Sequence, residues 1–221
     1  MDELKILSLR ESVFEDNDAD AALLRQELRE KGTFFINLMA SPGAGKTSLL
    51  RALIPLLRKE LSMAVMEADI DSAVDAEAIA ETGIKSIQLH TGGMCHLDAD
   101  MCRQGLRELD CEALDLVVLE NVGNLVCPAE FDTGAHLNVT ILSVPEGHDK
   151  PLKYPLMYKS CSLLIVSKID VLPYFDFDMD KLREHARMRN PDIEILPVSA
   201  KSGEGIAELA AWILNKVKAF A

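Results

Sequence analysis

The residues Ala40-Ser41-Pro42-Gly43-Ala44-Gly45-Lys46-Thr47 join an apolar run, Phe34 to Met39, to a run of helical character, Ser48 to Leu61. Strand, glycine-bearing loop ending in Gly-Lys-Thr, then helix is a layout that holds a nucleoside triphosphate. The small residues Gly43, Ala44 and Gly45 let successive backbone N–H groups converge on phosphate oxygens, with Ser48 just beyond the turn. Lys46 is placed to reach the outer phosphates and Thr47 to offer its hydroxyl to Mg²⁺, and the positive end of the following helix faces the anion. Ala40 takes the first glycine position of the strict pattern, a mild departure of one methyl group.

Further residues of the same chemistry follow apolar runs. Ala64 to Ala68 reads as a strand and leads into Asp69-Ile70-Asp71-Ser72-Ala73-Val74-Asp75. Acids just past the carboxyl end of a strand lie where ligands bind in open α/β sheets. Asp71 and Asp75 are four apart and would share a helix face, although Asp is equally at home at a solvated helix start. Asp69 and Asp75 are the candidates for Mg²⁺ or for orienting water. Leu116 to Leu119 precedes Glu120-Asn121-Val122-Gly123, where an acid can contact Mg²⁺ and a glycine N–H can sense the terminal phosphate. Most small GTPases use Asp at this place, so Glu120 points to a different branch.

Leu163 to Val166 ends in Ser167-Lys168-Ile169-Asp170, which resembles the guanine-reading Asn-Lys-x-Asp element. A carboxylate at Asp170 accepts from the two donors on guanine's Watson–Crick edge, whereas adenine presents an acceptor at its ring nitrogen. The stem of Lys168 can lie over the base. Ser167 replaces the usual Asn, which puts one loop-bracing hydrogen bond in question. Ser199-Ala200-Lys201, after the last apolar run, resembles the second base-contacting element.

A different chemistry is suggested by His90-Thr91-Gly92-Gly93-Met94-Cys95-His96-Leu97-Asp98, which separates a short strand, Ile84 to Leu89, from a helix expected over Leu97 to Leu109. A thiolate and an imidazole suit Zn²⁺ or Ni²⁺ better than Ca²⁺ or Mg²⁺. Taken alone, such a pair is more often incidental than a ligand set. Cys127, followed by Pro128, reads equally well as a buried core thiol.

These residues need a scaffold, and the chain supplies one. Its 221 residues, 48% of them apolar, suit one well-buried domain. The spacing of the apolar runs predicts an α/β fold with a mostly parallel central sheet and helices on both faces, over residues 33–221. Residues 1–20 mix acidic and apolar positions without a clear period. Asp18 to Lys31 reads as an amphipathic surface helix through Leu23, Leu24 and Leu28, so that 1–32 forms an N-terminal segment packed on the domain. Pro55 predicts a kink or an early end to the helix after the loop. Val139 to Val144 and Ile193 to Val198 complete the strands, Pro145 to Pro155 forms a polar, proline-bounded loop, and Ile206 to Lys218 is the terminal helix. Trp212 and Phe220 are expected to pack.

The net charge of −13 argues against a nucleic-acid partner. No apolar run approaches the roughly 20 residues of a membrane span, and the N-terminus lacks a signal-peptide core. Five cysteines without a disulfide-scaffold spacing suggest a reducing compartment, the cytoplasm.

Taken with Cys95-His96-Leu97-Asp98-Ala99, Glu120 through Pro128 and Lys150-Pro151-Leu152-Lys153-Tyr154-Pro155, the nucleotide motifs resemble the hydrogenase nickel-incorporation GTPases, the HypB family, over nearly the whole chain. The resemblance implies a three-layer P-loop NTPase fold of the branch that dimerises around bound nucleotide. It implies a GTPase, slow in turnover for want of an obvious arginine finger, that uses GTP and Mg²⁺ and helps load nickel into nickel–iron hydrogenase. The implied partners are a second copy, the small zinc-containing protein of the same maturation system and the hydrogenase large subunit. Cys95, His96 and Cys127 are implied as Zn²⁺ or Ni²⁺ ligands near a dimer interface. The chain has neither the histidine-rich stretch nor the N-terminal cysteine motif that some relatives use for storage. Urease-nickel and cobalamin-enzyme chaperone GTPases share the nucleotide motifs but fit the Cys95 and Cys127 contexts less well. A metal-storage or regulatory dimer locked by nucleotide is the non-enzymatic alternative.

Overall fold

Among the described residues, eight strands form one sheet in which every neighbouring pair is parallel. The structure, a computed structural model, describes residues 5–8, 17–69, 74–109 and 114–220, with backbone alone at 5–8 and 74–75. In chain order the strands are β1 Lys5–Ser8, β2 Phe34–Ala40, β3 Met63–Asp69, β4 Lys85–His90, β5 Leu116–Glu120, β6 Leu137–Ser143, β7 Leu163–Ser167 and β8 Glu194–Pro197. They lie side by side as β1-β4-β3-β5-β2-β6-β7-β8. The central strands β2 and β5 are buried along their whole length, as strands covered on both faces must be.

The helices are α1 Asn17–Glu30, α2 Lys46–Leu57, α3 Val74–Ala80, α4 Ala99–Glu108, α5 Cys127–Glu130, α6 Lys150–Lys153, α7 Pro155–Ser160, α8 Met179–Arg189 and α9 Ile206–Phe220. On one face, Leu49, Leu53 and Ile54 of α2 and Leu209 and Ile213 of α9 share a core with Ile36, Val65 and Val118. On the other, Leu24 and Leu28 of α1 and Met101 and Leu106 of α4 pack with Phe35, Met66 and Leu119, while α7 and α8 cover Leu142 and Leu164 with Tyr158 and Leu182. Among the described residues no helix is long and apolar enough to cross a membrane.

The departures from expectation have local causes. The first strand, Lys5–Ser8, carries no periodic signal because it is four residues long; its pairing with β4 places it in the sheet. Helix α2 stops at Leu57, not Leu61, two residues after Pro55. Proline lacks the N–H that would continue the ladder, so the early-end alternative is the one realised. Helix α4 starts at Ala99, not Leu97, because Asp98 is its N-cap and accepts from the Met101 N–H at 2.8 Å. In α1, Leu24 and Leu28 are buried but Leu23 faces solvent. The packing roles of Trp212, which lies against the α2/α9 core, and Phe220, whose ring is 5.0 Å from Phe34, are as expected.

Candidate nucleotide site and thiol pair

Because all strands run in one direction, the loops leaving β2, β5, β6 and β7 open at one edge of the sheet. Gly43 (φ +74°) and Gly45 (φ +98°) hold the loop after β2 in left-handed conformations that a side chain would strain. Lys46 and Thr47 open α2, and both meet Glu120 at the end of β5. The Thr47 hydroxyl donates to Glu120 Oε1 at 2.9 Å, and Lys46 Nζ lies 3.8 Å from the same oxygen. A hydroxyl and a carboxylate together form a hard oxygen donor pair, which fits Mg²⁺.

The loop is braced from three neighbours. Ser41 donates to Glu146, which also accepts from the Ser143 N–H and hydroxyl at 2.8 and 2.7 Å. The Ser167 hydroxyl donates to the Ala44 carbonyl at 2.7 Å. A loop-bracing hydrogen bond is therefore made from this position by serine, because the two loops approach closely enough for a short side chain. Lys168, held at φ +60°, donates from Nζ to the Gly43 carbonyl at 2.6 Å. Its stem passes close to Gly45, with Cε 3.7 Å from where a Cβ would stand.

Ala44, Gly45, Ser48, Ser167, Lys168 and Asp170 line a cavity of about 300 Å³ that Ala200 and Lys201 also border. The volume is in the range of small-ligand sites. The buried Ser199 hydroxyl donates to Asp170 Oδ1 at 2.7 Å and accepts from the Ser202 N–H at 3.1 Å, so the two elements expected to read the base are joined directly.

Asp69 ends β3, two residues past the point where Glu67 stands in register with Glu120. Asp75 falls in α3, where only backbone is described, and Asp71 lies outside the described residues.

The segment after Glu120 is tied to the centre of the sheet. Asn121 donates to Asn37 at 2.9 Å, Asn37 donates to Asn138 at 3.0 Å, and Asn121 accepts from the Val122 N–H at 2.8 Å. Gly123 then presses on the phosphate loop: a Cβ there would sit 3.1 Å from three atoms of Pro42. Sequence reasoning passed over this ladder and Glu146. The available signals were a polar Asn37 inside an apolar strand and an acid in the loop already marked as functional.

Four residues past Gly123, Cys127 opens α5, and its sulfur lies 2.8 Å from that of Cys95. Both thiols are partly exposed. The hydrogen bond to Cys127, aided by burial, raises the pKa of Cys95. Cys95 and His96 sit in the loop before α4, where Thr91 donates to the Met94 carbonyl at 2.7 Å. The His96 ring stacks on Phe131 with centroids 3.6 Å apart. The structure thus brings the two cysteines together and sets the imidazole against an aromatic ring. Among the described residues no three His, Cys, Asp or Glu side chains are gathered around one metal position. By contrast Cys102 and Cys161 are core thiols, and burial pushes Cys161 up to about 12.

A family model described as CobW/HypB/UreG, nucleotide-binding domain, matches residues 34–197. Hydrogenase maturation factor HypB of Azotobacter vinelandii is 46% identical over 209 residues, 95% of this chain and 69% of that protein. Hydrogenase/urease maturation factor HypB of Helicobacter hepaticus is 38% identical over 216 residues, 96% of this chain and 88% of that protein. Among solved structures, HypB from Helicobacter pylori in complex with nickel superposes with a TM-score of 0.87 at 34% identity, covering 91% of this chain and 95% of that one.

Proposed function

Since the chain belongs to the HypB branch of the CobW/HypB/UreG nucleotide-binding family, we propose that it is a GTP-hydrolysing nickel carrier for hydrogenase maturation, with metal affinity set by nucleotide state. The observation that carries this reading is the short covalent path from Gly123, packed on the phosphate loop, to a thiol pair. Gly123 is packed on Pro42, and four residues later Cys127 is 2.8 Å from Cys95. At roughly 3.3 to 3.6 Å of reach per residue, so short a segment cannot uncouple its ends. A shift of Gly123 on loss of the terminal phosphate moves Cys127 relative to Cys95, which sits on another segment. Metal affinity then differs between the two states.

The residues have distinct tasks. Asp170 and Lys168 select and cover guanine. Lys46 and the loop N–H groups neutralise the phosphates, and Thr47 and Glu120 hold Mg²⁺, with Asp69 or Asp75 orienting water. When bound, Mg²⁺ supplies charge neutralisation on the transferring phosphoryl group. Glu120 meanwhile keeps Thr47 and Lys46 at the mouth of the site.

Cys95 and Cys127 take the nickel cargo, or Zn²⁺, as thiolates. His96 joins them on leaving Phe131, or a second copy supplies the remaining ligands. The second copy is favoured by apolar surface at both sites: Val126 is 49% exposed beside Cys127, and Tyr174, close behind Asp170, is 82% exposed. A site with two sulfur ligands per chain is open, which suits transfer better than permanent structure. The small zinc-containing maturation protein and the hydrogenase large subunit are the partners of this reading, in the cytoplasm. The likeness to the hydrogenase/urease maturation factor of Helicobacter hepaticus favours urease as a second target.

The test is equilibrium dialysis of nickel and zinc against the protein in GDP and in a non-hydrolysable GTP analogue, with oligomeric state recorded and Cys127→Ala as control. The expected result is a nucleotide-dependent affinity that the variant loses. Equal affinities in both nucleotides would leave a GTPase whose thiol pair is structural.

A further inference from the structure

Pro42, the residue on which Gly123 presses, is held from its other side. The strand order sets β2 between β5 and β6, with Ala40, the last residue of β2, in register with Ile141 of β6. Gly123 follows β5, and a Cβ there would meet Pro42 at 3.1 Å. Ser41, the residue before Pro42, donates its hydroxyl to Glu146 Oε1, just beyond the end of β6. The Ser41-Pro42 step is thus clamped between a packing contact from the β5 side and a hydrogen bond from the β6 side.

The β6 side is the stiffer of the two. Glu146 Oε2 accepts from the Ser143 N–H at 2.8 Å and from the Ser143 hydroxyl at 2.7 Å, and Ser143 itself is buried. Three donors converge on one carboxylate, which has lone pairs for all of them and no proton of its own. Bonds to an ionised acceptor are about twice as strong as neutral ones. The segment that carries Glu146 is also tied down further along, by α8 and its cap. The Asp178 N–H donates to His148 Nδ1 at 3.2 Å, His185 Nδ1 to the His148 carbonyl at 3.0 Å, and Arg189 to the Pro151 carbonyl at 3.2 Å.

A backing fixed at both ends does not give way when Gly123 pushes. Displacement of Gly123 then passes along the chain to Cys127 and is not absorbed by the loop. Nucleotide binding alone does not account for the acid. The Ser41 hydroxyl is committed to it, and a negative charge offers a phosphate nothing.

We propose that Glu146 is a positioning residue that acts through Ser41 to hold Pro42 as the backstop for Gly123, so that nucleotide state is transmitted to Cys127 and the metal cargo. The inference rests on the nucleotide-gated carrier reading above and names the part of the nucleotide site on which the gating depends.

The experiment measures nickel affinity of the full chain by equilibrium dialysis at saturating GDP and at a saturating non-hydrolysable GTP analogue, with nucleotide affinity and melting temperature alongside. Saturation removes any change in nucleotide affinity from the ratio of the two nickel affinities. Ser41→Ala deletes the bond, and Glu146→Gln turns an amide N–H₂ toward donors. In each variant the ratio is expected to fall toward one by up to about ten-fold, the order of a hydrogen bond to a charged group. The double variant should match the singles, because all three delete the same link, and additive losses overturn the route through Ser41. A role confined to stability would lower the melting temperature and leave the ratio at the parent value. That result in a folded variant overturns the inference and leaves the carrier reading standing. Where Glu146→Gln does not fold, Ser41→Ala decides by itself. A parent chain whose nickel affinity is the same in both nucleotides overturns both.

Discussion

The nucleotide end and the thiol pair lie on one edge of one sheet, yet they are built differently. The phosphate loop is held on three sides, by Ser41 to Glu146, Ser167 to the Ala44 carbonyl and Lys168 to the Gly43 carbonyl, and Thr47 is already oriented on Glu120. The two thiols are hydrogen-bonded to each other, and both sit on short connecting segments, one before α4 and one at the four-residue α5. A rigid anion site is preorganised, so binding costs little ordering. A loosely supported pair of soft ligands is suited to change affinity when one of its segments moves. The joint between them is the Asn121 to Gly123 segment, tied to the sheet through Asn37 and Asn138 and packed on Pro42.

The contrast can be broken at several points. The largest effect is expected from Lys46→Ala, which should slow phosphate release by about 10² to 10³-fold, the usual loss of one charge-stabilising donor. Nickel affinity of the nucleotide-free protein should be unchanged, and a parallel loss there would show that the regions are not separable. Asp170→Asn removes the carboxylate that would accept two bonds from guanine. At about 1.5 kcal/mol or more each, GTP affinity should fall about 100-fold in a competition assay against ATP. Gly123→Ala pushes a methyl group to 3.1 Å from Pro42. Overpacking of this kind costs about 1–3 kcal/mol, and the difference in nickel affinity between GDP and the GTP analogue should shrink with it.

Smaller effects sharpen the account of what braces each region. Ser167→Ala leaves the buried Ala44 carbonyl without its 2.7 Å donor, a loss of about 1–3 kcal/mol visible in thermal melting. The smallest is Arg25→Ala. Arg25 grips Asp132 through two bonds of 2.7 and 2.8 Å and ties α1 to the segment that follows Cys127. Both side chains are about one-third exposed, so the loss at neutral pH should be under about 1 kcal/mol. Burial works against the Asp132 carboxylate, but the hydrogen bond and charge of Arg25 leave its pKa below the ordinary value. Its stabilisation is therefore complete above the unfolded value of about 3.9 and is lost as pH falls through the lower folded one. The urea midpoints of parent and variant should accordingly converge at pH near 2.

Much of this was legible beforehand, for identifiable reasons. The phosphate loop, Glu120, Ser167 to Asp170 and Ser199 to Lys201 are short motifs whose chemistry depends on neighbours in sequence, and each follows an apolar run that the parallel sheet requires. Less legible were Lys5–Ser8, too short to carry a period, and the Ser167 brace, since whether a serine reaches the phosphate loop depends on the proximity of another loop. His96 illustrates the opposite case. Its adjacency to Cys95 suggested a shared ion, but its surroundings include Phe131, 35 residues away, on whose face the ring stacks.

The amino-acid sequence by itself determined that the chain is an α/β protein with a turn of the phosphate-binding type, and it supplied Asp170, Cys95 and Cys127 as candidates for base reading and metal ligation. Those properties depend on residue type, hydrophobic period and spacing within a few residues. Only the tertiary structure decided which distant segments meet: Cys95 with Cys127, Ser41 with Glu146, Gly123 with Pro42, and Glu67 in one row with Glu120. The order of strands in the sheet sets those meetings. That order is chosen by burial summed over the whole core, so no single stretch of sequence records it.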